Sequence, residues 1–155
     1  MTAMQSNSGA ACTCVVTEYC YHDRDDFIVD VELFGEDELM EQVTDLLQSY
    51  RHYHHHVEDM QDEEKADFEK RAKVAEDTFR AMFRGRLENE EFLRNRPEAS
   101  VLSTLQSWTH DMRPSHIEGR SSNNLSDCSS LLMNLTSELN SSQEIAIWPY
   151  VRKIK

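Results

Sequence analysis

The chain has 155 residues, 39% of them hydrophobic and 29% charged, which is about one domain's worth with a lean core. Sixteen Lys and Arg stand against twenty-nine Asp and Glu, for a net charge of −13. A chain this acidic is repelled by nucleic-acid phosphates and anionic membranes, and the few basic residues near its end (Arg152, Lys153, Lys155) do not reverse that, so a nucleic-acid partner is excluded from the reading. With 4 Gly and 3 Pro, turn-formers are too scarce for a loop-rich or all-β fold, and long helices are expected.

Residues 1–9 read as a flexible lead-in, with neither the basic nor the apolar region of a secretory signal. Residues 13–21 (TCVVTEYCY) are rich in β-branched and aromatic side chains and predict a strand. Residues 22–26 (HDRDD) form a polar turn. Residues 27–34 (FIVDVELF) give the clearest strand, with Phe27, Val29, Val31 and Leu33 on one face and Asp30 and Glu32 on the other. Two strands joined by a short polar connection predict an antiparallel hairpin.

After Gly35 the period becomes helical. Leu39, Val43, Leu46, Leu47 and Tyr50 recur at spacings of three and four, and Glu36, Asp37 and Glu38 place negative charge at the helix start, where the dipole favours it. A second helix over about 62–83 carries the stripe Phe68, Ala72, Ala75, Phe79 and Met82, and Gly85 ends or bends it. A short helix over 88–94 stops before Pro97. Another begins near Glu98 and buries Val101, Leu102, Leu105 and Trp108. Residues 113–124 read as a polar loop, in which 117–120 (IEGR) matches a protease site by coincidence. Asp127 is the expected cap of a last helix with Leu131, Leu132, Leu135 and Leu139 on one face, and 145–154 (IAIWPYVRKI) as a strand interrupted by Pro149. No run of about twenty apolar residues is present, so no transmembrane segment is expected. The four cysteines, Cys12, Cys14, Cys20 and Cys128, do not form a disulfide framework; an intracellular chain, cytoplasmic or nuclear, is the expectation.

The chemistry-bearing residues are few. His52 and His56 have the i, i+4 spacing of a helical metal-binding pair, with His54 and His55 beside them, but the sequence places no third ligand next to them, and adventitious binding on a polar helix end is the plainer reading. Cys12 and Cys14 make a C-x-C pair with no second knuckle, so small buried hydrophobes are expected there. The acidic runs at 58–59 and 62–64 read as solvated helix surface, and Trp108 and Trp148 as core or interface anchors. No G-x-S-x-G or H-E-x-x-H run occurs.

Two short runs carry a resemblance. Residues 8–19 (SGAACTCVVTEY) look like the switch I region of dynamin-superfamily GTPases, in particular of fungal dynamin-like proteins related to the nuclear GTPase SLIP-GC. Residues 147–154 (IWPYVRKI) resemble the strand that precedes the Asp-x-Pro-Gly segment in the same proteins, and the charged helices between fit their helical insertion. The resemblance implies a slice of a GTPase: 1–34 as switch I-like lead-in and strand hairpin, 35–140 as charged helical insertion, and 141–155 as a terminal strand cut off before Asp-x-Pro-Gly. It implies an α/β fragment (α+β if isolated), with a few strands of a GTPase-type sheet left exposed at their edges.

By the same resemblance Thr13 is the switch I Thr, whose hydroxyl would reach Mg²⁺ and whose main chain would help place the attacking water; GTP and Mg²⁺ are the cofactors of the intact family. The sequence contains no phosphate loop of the form G-x-x-x-x-G-K-[ST] and no Asn/Thr-Lys-x-Asp run to read guanine. A switch Thr without them has nothing to coordinate, so the chain alone is expected to bind no nucleotide and to need no cofactor. The alternative is a non-enzymatic helical interaction module whose partner is an intact dynamin-like relative or another helical protein.

Overall fold

The computed structural model describes residues 15–21, 23–141 and 147–155. The chain is a mixed α/β protein dominated by helix, and it folds into two compact units. One is helical, Gly35–Arg113; the other joins the described residues before Gly35 to those from Pro114 onward.

The helical unit contains α1 (Glu36–His56), α2 (Asp62–Met82), α3 (Glu91–Asn95) and α4 (Glu98–Met112). The expected stripes are the buried ones. On α1 Leu39, Val43, Leu47 and Tyr50 are buried, and on α2 Ala72, Ala75, Phe79 and Met82, while Leu46 and Phe68 lie half-buried at the margins. α1 is the hub, packing against α2, α3 and α4. Its start is fastened by the Gly35 N–H, which donates to Glu38 Oε2 at 2.8 Å. α2 ends at Met82, and Gly85, at φ 82°, supplies the left-handed residue of the turn that follows. On α4 the buried residues are Val101, Leu105 and Thr109, so Leu102 and Trp108 are half-buried rather than buried as expected. Thr109 is satisfied inside the helix, donating to the Leu105 carbonyl at 2.8 Å. Phe83, Trp108 and Phe92 form a ring series with centroids 5.6 and 5.7 Å apart that ties the end of α2 to α4 and α3.

The carbonyls at the end of α3 are capped from α1. Arg51 Nη1 donates to the Leu93 and Arg96 carbonyls at 2.7 and 2.8 Å, and His55 Nε2 lies 3.1 Å from the Arg94 carbonyl. Arg51→Ala removes two charge-assisted bonds and is expected to destabilise the helical unit by about 1–3 kcal/mol. Chemical denaturation followed at Trp108 measures it, and an unchanged midpoint would show that water replaces the guanidinium without loss.

The other unit holds five short strands and one helix: β1 (Val16–Thr17), β2 (Phe27–Val29), β3 (Val31–Leu33), β4 (Arg120–Ser122), α5 (Leu125–Ser141) and, after a 3₁₀ turn at Trp148–Tyr150, β5 (Val151–Ile154). Here the expected hairpin does not form. β1 and β3 do not pair; β5 lies between them, parallel to β1 and antiparallel to β3. The expected single strand 27–34 is divided at Asp30. β2 leaves to pair antiparallel with β4, a strand inside the segment read as loop, while β3 stays with β5. Asp30 and Lys155 exchange both backbone hydrogen bonds at 2.8 Å, so the division leaves no unpaired group at the switch point. β5 is accordingly central and flanked on both sides, not a strand without partners.

The compact helical unit ends at Arg113; α5 packs on β2 and β4, so this helix belongs with the strands. Its cap is Asn124, whose Oδ1 accepts from the Asp127 N–H at 2.8 Å; Asp127 is the reciprocal partner, not the cap. Val29, Leu135, Val151 and Ile154 form the core of this unit. Leu131 and Leu132 are half-buried, and Leu139 lies outside the side chains described. A Cβ added at Gly119 would stand 2.5 Å from Asp30 Oδ1 and 3.4 Å from the Val29 carbonyl, so a larger residue there would require the Asp30 side chain to shift.

Candidate functional site

β5 collects charge. Its Lys153 pairs across one strand boundary with Val16 and across the other with Glu32. Lys153 Nζ stands 2.6 Å from Glu18 and 3.9 Å from Glu32; Lys155 Nζ is 2.8 Å from Glu32 and Arg152 Nη1 is 3.5 Å from it. Arg152 also lies over the Phe34 ring at 5.5 Å. The result is a ladder of two carboxylates and three cations spanning all three strands.

The electrostatics set what this ladder can do. The hydrogen bond from Lys153 holds the Glu18 carboxyl below the usual range, and that from Lys155 does the same for Glu32; Glu32 in turn raises the Lys155 ammonium. General acid or base chemistry needs a group poised near neutrality, and both carboxyls are pushed the other way. The ladder therefore cross-links the three strands at a part-exposed surface.

Because folding depresses both carboxyls, the stability they contribute is complete above the unfolded carboxylate range. It is lost as the pH falls below about 4 and through the folded values. The strand unit is thus expected to loosen on acidification over that window, and Glu32→Gln should weaken the response. Denaturation midpoints at Trp148 across pH test this; an acid profile identical in the variant would remove the ladder as its cause.

The helical unit brings together a second group, the four histidines at the end of α1, and separates them. His54 is half-buried against Tyr50 and Tyr53, with centroids 4.3 and 5.1 Å away, and burial lowers its pKa while raising that of Tyr50. His55 is spent on the Arg94 carbonyl. His52 and His56 are exposed and face each other, with ring centroids 5.2 Å apart, and His52 also rests on Phe68 of α2 at 4.8 Å. Among the described residues no group of three or more His, Cys, Asp and Glu is arranged to hold a metal ion.

Thr13, Cys12 and Cys14 lie outside the described residues. Cys20 is a free, exposed thiol and Cys128 a free, half-buried one. Among the described residues no helix is long and apolar enough to cross a membrane. Sequence reasoning missed the ladder. Its signal was present in three cations among the last four residues and two carboxylates on separate strands, but nothing local says that these strands adjoin. No protein-family model, curated protein or solved structure matches the chain.

Proposed function

We propose that the chain is the switch I and following-strand portion of a dynamin-like G domain carrying a helical insertion, and that by itself it does not bind or hydrolyse GTP. One observation carries the reading. The two runs that bear the resemblance sit at opposite ends of the sequence, yet they are adjacent in one sheet. Val16 and Thr17 of the first pair with Lys153 and Ile154 of the second, and the Glu18 N–H donates to the Ile154 carbonyl at 2.8 Å. Adjacency of the two runs in one sheet, with a helical unit between them in sequence, is what supports the reading. The compact helical unit that leaves after Phe34 and returns at Pro114 supports the insertion.

In this reading Thr13 is the switch residue that would meet Mg²⁺ and the γ-phosphate in an intact relative, and the missing phosphate-loop and guanine motifs account for an inactive chain. A fluorescent GTP analogue with Mg²⁺ should show no saturable binding to the purified chain. In the adjoining coding sequence a phosphate loop should lie upstream of Met1, and an Asp-x-Pro-Gly run downstream of Lys155, in the same frame. Saturable Mg²⁺-dependent binding overturns the inactivity; the absence of both motifs overturns the family assignment.

A second reading, a non-enzymatic interaction module, rests on where apolar surface is left open. Val16, Tyr19, Tyr21, Phe27, Ile28 and Met133 are large and exposed in the strand unit, against Val74 in the helical one. Under this reading the strands and α5, rather than the amphipathic helices, would meet an intact relative or another helical protein. A stable monomer by sedimentation, with no binding to such a relative, would leave it without support.

A further inference from the structure

The histidine turn of α1 bears on a ligand independently of any GTPase reading. We propose that His52 and His56 form a two-imidazole site for a divalent transition ion, with Zn²⁺ as the ion its geometry suits, the remaining coordination positions being open to water or an external ligand.

Three observations converge. The first is geometric. Zinc binds imidazole nitrogen at about 2.0–2.1 Å, which places the metal about 3.2 Å from each ring centre, and a tetrahedral angle at the metal then separates the two centres by about 5 Å. The His52 and His56 centroids are 5.2 Å apart, which matches that separation. The second is selection. His54 packs half-buried against Tyr50 and the exposed His55 meets the Arg94 carbonyl, while the exposed rings of His52 and His56 face each other, with Phe68 supporting His52 from α2. A supported ring loses less rotamer freedom on binding than a free one. The third is electrostatic. His56 is the last residue of α1, where the negative end of the helix dipole favours a cation, and Glu58 and Asp59 follow in the turn of a chain with net charge −13.

Two ligands make an open, exchangeable site rather than a structural one, since structural zinc takes four protein ligands. Neutral imidazole is a shared preference of Zn²⁺, Cu²⁺ and Ni²⁺, with Cu²⁺ the tightest on the usual affinity order.

The test is calorimetric titration of the full chain with ZnCl₂ near neutral pH, with imidazole NMR spectra recorded alongside. One ion per chain is expected, with shifts at His52 and His56. His52→Asn and His56→Asn should each weaken binding by about tenfold or more, as loss of one of two ligands predicts, while His55→Asn should leave it unchanged. Both target side chains are exposed, and circular dichroism of the variants checks that the helix persists. Unchanged affinity in the His52→Asn, His56→Asn double variant overturns the site, as does the absence of heat and of imidazole shifts in the parent chain.

Discussion

Phe79→Ala is expected to lower the stability of the helical unit by about 3–5 kcal/mol, the range for removing a fully buried phenyl ring and leaving a cavity. Phe79 is fully buried on the inner face of α2, one turn beyond the alanines at 72 and 75, whose small side chains leave the ring as the main apolar volume there. It stacks on Phe83 with centroids 6.1 Å apart, and Phe83 continues through Trp108 to Phe92. Removing the first ring therefore loosens a series that reaches α4 and α3. The two tryptophans fall in different units, so in a Trp148→Phe background the urea midpoint read at Trp108 reports the helical unit. A midpoint within error of the parent would mean that neighbouring side chains collapse into the space. Net folding stability of a domain is about 5–15 kcal/mol, so the expected loss is a large part of the whole.

Ile154→Ala is the corresponding change in the strand unit, with an expected cost of about 2–5 kcal/mol. Ile154 is buried in the middle strand, opposite Thr17 on one side and Val31 on the other, and it packs in the small core with Val29, Leu135 and Val151. A core this small has few neighbours able to fill the gap. The truncation is also expected to expose more apolar surface in a unit that already presents Phe27 and Ile28, so aggregation should rise with the loss of stability. In a Trp108→Phe background, denaturation followed at Trp148 and light scattering at increasing concentration measure both effects. Unchanged values in both would place the weight of the unit elsewhere than on β5.

The two variants test the parts of the fold that were most and least legible. The helical stripes of α1 and α2 could be read directly, because a helix writes its buried face into residues three and four apart, and Leu39, Val43, Leu47 and Tyr50 needed no knowledge of what they pack against. The start at Gly35 and the stop near Gly85 were legible for the same reason, since capping and left-handed turns are chemistry of a few adjacent residues.

Strand partners were not. Strands of two to four residues carry too little alternation to specify register, and β4, Arg120–Ser122, has no apolar pattern at all. Its strand character comes from pairing with β2, which lies far away in sequence. The division of residues 27–34 at Asp30 likewise depends on Lys155 supplying both hydrogen bonds at that point.

The same distinction governs the sites. Sequence by itself determined the residue types: four histidines on one helix end, and two carboxylates and three cations on or beside short strands. Only the tertiary structure decided that His54 packs against Tyr50 and His55 against the Arg94 carbonyl, and which carboxylate each lysine meets. A side chain's neighbours across elements are set by packing and strand order, and these are non-local properties that no window of sequence contains.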